Sequence, residues 1–279
     1  MGGPAPAARR VSAALEAELL DVARAAARAA AAELLARYDR PPEGVDTKTS
    51  ATDPVSDADR AAERAIRALL AQRRPHDAIL GEEGGETVGD GGGGSGVRWV
   101  VDPLDGTVDY LYGHPQWSVS VAAEDADGNA LAGVVLDPLR DEETAATRSG
   151  PLLRDGVPVV SAPRAQTLGV ALVATGFGYD AAVRAWQAEV LQRVLPRVRD
   201  VRRAGSAALD LAWTALGRCD AYWERGVKPW DVAAGALLCA RAGLELHELP
   251  EAGGMPAGLL AAPPALAAEL LTLVAPGAP

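Results

Sequence analysis

Trp99-Val100-Val101-Asp102-Pro103-Leu104-Asp105-Gly106-Thr107 decides how this chain is read. An apolar run meets two carboxylates three positions apart, across a proline, and then a glycine and a threonine. A buried strand that ends in two acids cannot leave them bare, because unpaired buried carboxylates are costly. The short Asp-Pro-Leu-Asp turn can hold both near one point, where cations would offset them. Gly106 permits a close backbone approach. A helix starting there would offer free N–H groups and the Thr107 hydroxyl to an anion. Carboxylates for hard cations beside donors for an oxyanion are the parts of a metal-dependent phosphate site. Asp-Pro and Asp-Gly are also ordinary turn dipeptides, so the surrounding segments must decide.

With 279 residues, 48% hydrophobic and 23% charged, the chain can bury a large core in one or two domains. Its net charge of −11 argues against nucleic acid or an anionic membrane as main partners. A small phosphorylated substrate remains compatible, since bound cations reverse the local field. Cys219 and Cys239 form no C-x-x-C pair and read as small apolar residues of a reducing compartment. The first ten residues lack a signal-peptide core, and no run of apolar residues is long enough to span a membrane. The expectation is a cytoplasmic protein. Lysine occurs only at Lys48 and Lys228.

Helical spacing of Leu15, Leu19, Val22 and Ala26 predicts a long helix over 11–38, ended near Pro41-Pro42. Residues 43–55 read as irregular. A second helix is expected over 57–73, with Ser56 as N-cap and Asp59 three residues on. Gly-rich 84–97 reads as a mobile loop. Strands are expected at 98–101, 117–123, 131–136, 170–174 and 221–223, and helices at 181–195, 206–217, 231–242 and 264–274. Trp117 to Val121 alternates as a half-buried antiparallel strand should.

Further acids stand where an apolar run ends or a helix begins. Glu82 and Glu83 follow Ile79-Leu80-Gly81; Asp53, Asp57 and Asp59 lead into the second helix; Glu224 ends Ala221-Tyr222-Trp223; Asp231 opens a helix. Each has a plain alternative: a solvated loop acid at Glu82, a capping box at Asp59, an N-cap at Asp231.

The pattern Gly-Glu-Glu (81–83), Trp-x-x-Asp-Pro-Leu-Asp-Gly-Thr (99–107) and Trp-Asp-x-Ala-Ala-Gly (230–235) resembles the inositol monophosphatase family, from about Lys48 to Gly243. The resemblance implies a layered α/β/α/β/α sandwich, usually a homodimer, that hydrolyses small phosphate monoesters with Mg²⁺ and is sensitive to lithium. It implies an amino-terminal α+β half over 11–153 with most metal ligands and a carboxy-terminal α/β half over 154–274 with Glu224 and Asp231, together one catalytic unit. Glu82, Asp102 and the Leu104 carbonyl would hold one Mg²⁺; Asp102, Asp105 and Asp231 a second; a third, weaker ion would sit by Glu82. Asp59 and Thr107 would position and activate the attacking water, with Glu82 beside them. Gly106 and Thr107 amides would take the phosphate, and Gly205, Ser206, Ala207, Asp105 and Glu224 the substrate around its alcohol. Lys48 matches a basic residue near the metal loop.

Asp109-Tyr110 departs from the family's Asn-Phe and adds a charge near the phosphate end. Charge balance supports cations independently: Glu82, Asp102, Asp105, Asp231 and Asp59 total −5 if they converge, and a phosphomonoester adds about −2. Oxygen-only ligands favour Mg²⁺ or Mn²⁺ over Zn²⁺. His76, His114 and His247 lie outside these motifs. The expected substrate is inositol 1-phosphate or a related polyol phosphate. Histidinol phosphate, fructose 1,6-bisphosphate and 3′-phosphoadenosine 5′-phosphate are sister alternatives, and a non-catalytic regulatory protein on the same fold is a rival of another class.

Overall fold

A computed structural model describes residues 12–38, 40, 43–47, 54–89, 96–160 and 165–275. Lys48, Asp53, Pro41-Pro42 and residues 90–95 of the Gly-rich stretch lie outside the described residues.

Helix α1 (Ala13–Tyr38) and helix α2 (Asp57–Arg73) flank a short antiparallel pair, β1 (Asp46–Thr47) with β2 (Pro54–Val55). The segment expected to be irregular over 43–55 thus contains a strand at each of its described ends, 46–47 and 54–55. Strands β3 (Ala78–Gly81), β4 (Gly85–Thr87) and β5 (Arg98–Asp105) follow, then the short helix α3 (Thr107–Tyr112). A meander comes next: β6 (Ser118–Glu124), β7 (Ala130–Asp137), β8 (Glu142–Thr147), β9 (Leu153–Arg154) and β10 (Val157–Pro158). The second half contains β11 (Leu172–Thr175), α4 (Ala181–Val194), β12 (Asp200–Arg202), α5 (Ala207–Ala215), β13 (Ala221–Arg225), α6 (Pro229–Arg241), β14 (Glu245–Leu249), β15 (Gly258–Ala262) and α7 (Pro264–Val274). The large sheet runs β10-β9-β8-β7-β6-β5-β3-β4 and the small one β12-β11-β13-β15-β14.

Side-chain alternation builds the layers. Trp99 and Val101 of β5, with Val119, Val121 and Ala123 of β6, pack under α1 and α2. Val100 and Ala122 point the other way, into a layer of α5 and α6 shared with Ala174, Tyr222 and Ala261 of the small sheet. Val173, Trp223 and Leu260 face a third core under α4 and α7. The order is helix, sheet, helix, sheet, helix, as the resemblance implies.

This sandwich corrects the half-buried reading of residues 117–123. Every residue of β6 is buried, because helices cover both faces of the large sheet. The Gly-rich stretch also contains β4, paired with β3. Several strands escape the sequence signal. Glu142 and Glu143 of β8 are buried acids bound by Arg218 and Arg24, so β8 does not read as apolar. Strand β14 is mostly exposed, and β15 reads Gly-Leu-Leu-Ala-Ala, a composition equally at home in a helix. Helix α6 begins at Pro229, two residues earlier than expected.

Candidate active site

Strand β5 continues past Val101 through Pro103 to Asp105. Asp102 pairs with Ser120 and Asp105 with Ser118, so three steps on β5 oppose two on β6. Residues three apart on a regular strand face opposite sides. One bulged residue cancels that offset and turns both acids to the same side. Strand β3 runs parallel to β5 with Gly81 beside Val101, and the Glu82 amide donates to the Val101 carbonyl at 3.3 Å. Register therefore sets Glu82 next to Asp102.

The other acids arrive on helix starts. Asp231 stands at the third position of α6, where its Oδ2 accepts from the Lys228 amide at 2.7 Å. It completes a capping box; it is not the N-cap that a plain sequence reading offered. Ser120 Oγ holds this end of α6 to β6 by donating to the Trp230 carbonyl at 3.1 Å. Asp105 Oδ2 accepts from Ser206 Oγ at 2.7 Å and from the Ala208 amide at 2.6 Å, which docks it on the first turn of α5. Ser206 is the N-cap of that helix.

Asp59 caps α2 and also meets Thr107. Its Oδ2 accepts from the Ser56 amide (2.8 Å) and hydroxyl (2.6 Å) in a complete capping box. Its Oδ1 accepts from Thr107 Oγ1 at 2.9 Å. Gly106 precedes Thr107 with φ of 98°, and a side chain there would meet the Gln116 carbonyl at 2.8 Å. Only glycine makes this turn comfortably.

Glu82, Asp102, Leu104, Asp105, Gly106, Thr107, Gly205, Ala207, Glu224 and Asp231 line one cavity of about 520 Å³. Ser206 lies beneath it, fully buried. Phe177, Gly178, Tyr179, Arg203, Lys228 and Trp230 also line it, together with Glu83, Arg225, Gly226 and Val227. Phe177, Gly178, Tyr179 and Arg203 were not singled out from the sequence. Gly176-Phe177-Gly178-Tyr179 carries the chain's only phenylalanine, between glycines, just after a strand, and that is a readable signal. Asp210 was also missed. It is 1% exposed, with Oδ1 unpartnered, and is the single acid in the apolar run of α5.

Burial drives the acids' electrostatics. It raises Asp102 well above the ordinary carboxylate range, reinforced by Glu82, Asp105 and Asp231. Asp231 is raised by burial and then by Asp105, against the Lys228 amide. Asp105 is pushed up to about 6 by burial, although the Ser206 hydroxyl and the α5 amides oppose the shift. Glu224 reaches about 8 through burial and the neighbouring Asp210 and Asp105. Tyr222 donates to Glu224 Oε2 at 3.1 Å, and a methyl group on Gly176 would overlap the Glu224 carboxylate.

Among the described residues no three acidic, His or Cys side chains stand close enough to hold an ion as they are placed. The donor chemistry nonetheless fits a hard cation. The candidate side-chain ligands are all carboxylates, the Leu104 carbonyl adds an oxygen, and Asp102 and Asp231 are each raised by neighbouring acids. A divalent cation relieves that repulsion in place of protons. His76, His114 and His247 do not line the cavity. Cys219 and Cys239 are free and buried, and no described helix is long and apolar enough to cross a membrane.

The chain matches the model of the inositol monophosphatase family over residues 15–275. It is 49% identical to the inositol-1-monophosphatase SuhB of Mycobacterium tuberculosis over 232 residues, 81% of this chain and 80% of that one. It is 39% identical to the Nus factor SuhB of Pseudomonas aeruginosa over 253 residues, covering 86% and 91%. The crystal structure of the suppressor protein SuhB from Bartonella henselae superposes with a TM-score of 0.82 at 32% identity, covering 93% of this chain and 99% of that one.

Proposed function

The chain belongs to the inositol monophosphatase family, and on that premise we propose that it is a Mg²⁺-dependent phosphatase of small polyol phosphates, inositol 1-phosphate first among them. The observation that carries this reading is the convergence of Glu82, the Asp102–Thr107 turn and Asp231 on one cavity from three distant segments. The family is generally metal-dependent. Glu82, Asp102 and the Leu104 carbonyl would hold one ion; Asp102, Asp105 and Asp231 a second; Glu82 a weaker third, with Mn²⁺ as a substitute. Bound there, the metal supplies positive charge for phosphate oxygens and acidifies water.

The chain's own residues position and move protons. Thr107 Oγ1 donates to Asp59 Oδ1, which leaves its lone pairs for the proton of an attacking water. Asp59 can take the hydroxyl proton in turn, and Ser56 fixes its orientation. The Gly106 and Thr107 amides suit the phosphate, and Gly205, Ser206, Ala207 and Glu224 suit the alcohol half. In this reading residues 11–153 and 154–274 work as one unit, the protein is cytoplasmic, and it is a homodimer, which light scattering would check.

Phosphate release from inositol 1-phosphate should require Mg²⁺ and stop with excess EDTA; full turnover in chelator overturns the metal assignment. Histidinol phosphate, fructose 1,6-bisphosphate and 3′-phosphoadenosine 5′-phosphate belong on the same panel. A second reading, a regulatory protein without turnover, draws on the relative named Nus factor. Silence across the panel with Mg²⁺ present would select it.

A further inference from the structure

Helix α2 carries three charged residues at intervals of four, Asp59, Glu63 and Arg67, and that spacing sets them on one face. Asp59 meets Thr107. Glu63, one turn on, does not line the active-site cavity and is 3% exposed. Its carboxylate receives the chain just after Glu82. The Glu83 amide donates to Oε2 at 2.7 Å and the Gly84 amide to Oε1 at 2.8 Å. Arg67 Nε donates to the same Oε1 at 2.6 Å. Arg67 also donates from Nη2 to the Gly85 carbonyl at 2.7 Å and from Nη1 to Thr87 Oγ1 at 3.1 Å. Two side chains of one helix thus hold the turn between β3 and β4.

The turn is shaped to this carboxylate. A methyl group on Gly81 would meet Glu63 Oε1 at 2.6 Å, and so would one on Gly84. Neither glycine has a positive φ, so the close approach of Glu63 is what keeps both positions bare. On its other side, the Glu82 amide is fixed to the Val101 carbonyl. The backbone of Glu82 is therefore held between β5 and α2. Closing a tight turn does not require a buried acid, and burying one is costly. What this acid adds is a fixed place for the residue beside its two amide donors. A carboxylate accepts from both amides and the guanidinium together, whereas a Gln side chain would turn an N–H against one of these donors.

We propose that Glu63 is a positioning residue for the cation site: through the 82–84 turn it fixes Glu82 relative to Asp59 and Thr107. Asp59 and Glu63 are four residues apart, about 6 Å along one rigid helix. The same helix therefore sets the water-activating pair and the Glu82 carboxylate in register. This inference rests on the assignment of Glu82 as an ion ligand under the proposed function. Loss of Glu63 should weaken ion binding and leave the contacts to the alcohol half alone.

The test titrates the metal-free, full-length protein with Mn²⁺ and counts free ion by electron paramagnetic resonance. In Glu63→Gln the dissociation constant should rise about tenfold or more, the scale for losing a group that orients a metal ligand. The Mg²⁺ concentration for half-maximal phosphate release should rise by the same factor, with KM for the ester unchanged. Glu16→Gln is the matched control. Glu16 is also 3% exposed, and its Oε2 accepts from the Ser149 amide (2.9 Å) and hydroxyl (2.6 Å), away from the cavity. That variant should melt lower and bind Mn²⁺ as the parent does. If Glu63→Gln does not fold, Gly84→Ala takes its place, because its methyl group displaces the Glu63 carboxylate; a smaller loss of Mn²⁺ affinity is expected. A lower melting temperature with Mn²⁺ affinity intact would make Glu63 a structural acid and overturn the proposal. Equal loss of affinity in Glu16→Gln would overturn it too. A parent protein that binds no Mn²⁺ would overturn the metal assignment itself, and this inference with it.

Discussion

The acid side of the candidate active-site cavity and its alcohol side are built from different kinds of sequence. The acid side comes from turns and helix starts. A bulge aligns Asp102 with Asp105, strand register adds Glu82, and a capping position adds Asp231. Its acids raise one another's proton affinity, Asp102 through Glu82, Asp105 and Asp231, and Asp231 through Asp105. The alcohol side comes from the packing of the small sheet. Glu224 sits against Gly176, receives a hydrogen bond from Tyr222, and faces the Phe177–Tyr179 loop. One side is a charge problem that awaits a cation; the other is a shape. Changes on the acid side should therefore be indifferent to the alcohol, and changes on the alcohol side should depend on it.

The largest effect belongs to the acids. Asp105→Asn and Asp231→Asn preserve size and keep an oxygen for the Ala208 and Lys228 amides. Each removes a charge from the proposed second ion. We expect kcat/KM to fall at least about 10²-fold on every phosphate ester, with folding intact. Near-normal turnover in both variants would remove Asp105 and Asp231 from the ligand set.

An intermediate and selective effect belongs to Glu224. Above about pH 8, where the Glu224 carboxylate is ionised, Glu224→Gln exchanges one acceptor for a donor. Inositol phosphate should lose about 1–3 kcal/mol in kcat/KM, whereas a small aryl phosphate without hydroxyls should be nearly unaffected. Gly176→Ala pushes on the same carboxylate through its methyl group and should reproduce that selectivity, about tenfold on the polyol ester. Equal losses on both substrates would show that Glu224 serves the acid side, and the contrast between the two sides would fail. No loss on either would make it a structural acid.

This contrast also explains what was legible in the sequence. The acid side is local: Asp102, Asp105, Gly106 and Thr107 fall within six residues, and Glu82 and Asp231 each carry a short motif. The bulge that unites the aspartates falls at Pro103-Leu104 in the same stretch. The helices were equally plain, because caps such as Ser56 and Asp180 stand at their starts. The alcohol side is non-local. Gly176 meets Glu224 only because β11 and β13 pair in parallel although α4, β12 and α5 lie between them in the chain, and no spacing announces such a contact. Strands β8 and β15 were hidden for related reasons, since acids compensated by distant arginines and an alanine-rich strand defeat any local period.

The smallest effect is one of stability, and it separates the two sides by pH. In the metal-free protein, burial raises Asp105 to about 6 and Glu224 to about 8. The unfolded chain ionises both in the ordinary carboxylate range. Between those limits the folded state holds more protons than the unfolded state. Stability is then fully present at low pH and is lost as pH rises through each folded value. The melting temperature of the metal-free protein should fall by at least about 5 °C from about pH 5 to about pH 8.5. Mg²⁺ should flatten the part of the curve that Asp105, Asp102 and Asp231 carry, beginning with Asp105 near pH 6, because the cation replaces the proton. Glu224→Gln should flatten the part near pH 8, with or without Mg²⁺, because Gln has no proton to lose. A single Mg²⁺-sensitive slope in both proteins would mean that Glu224 shares the acids' electrostatics and is not a separate, shape-defining group.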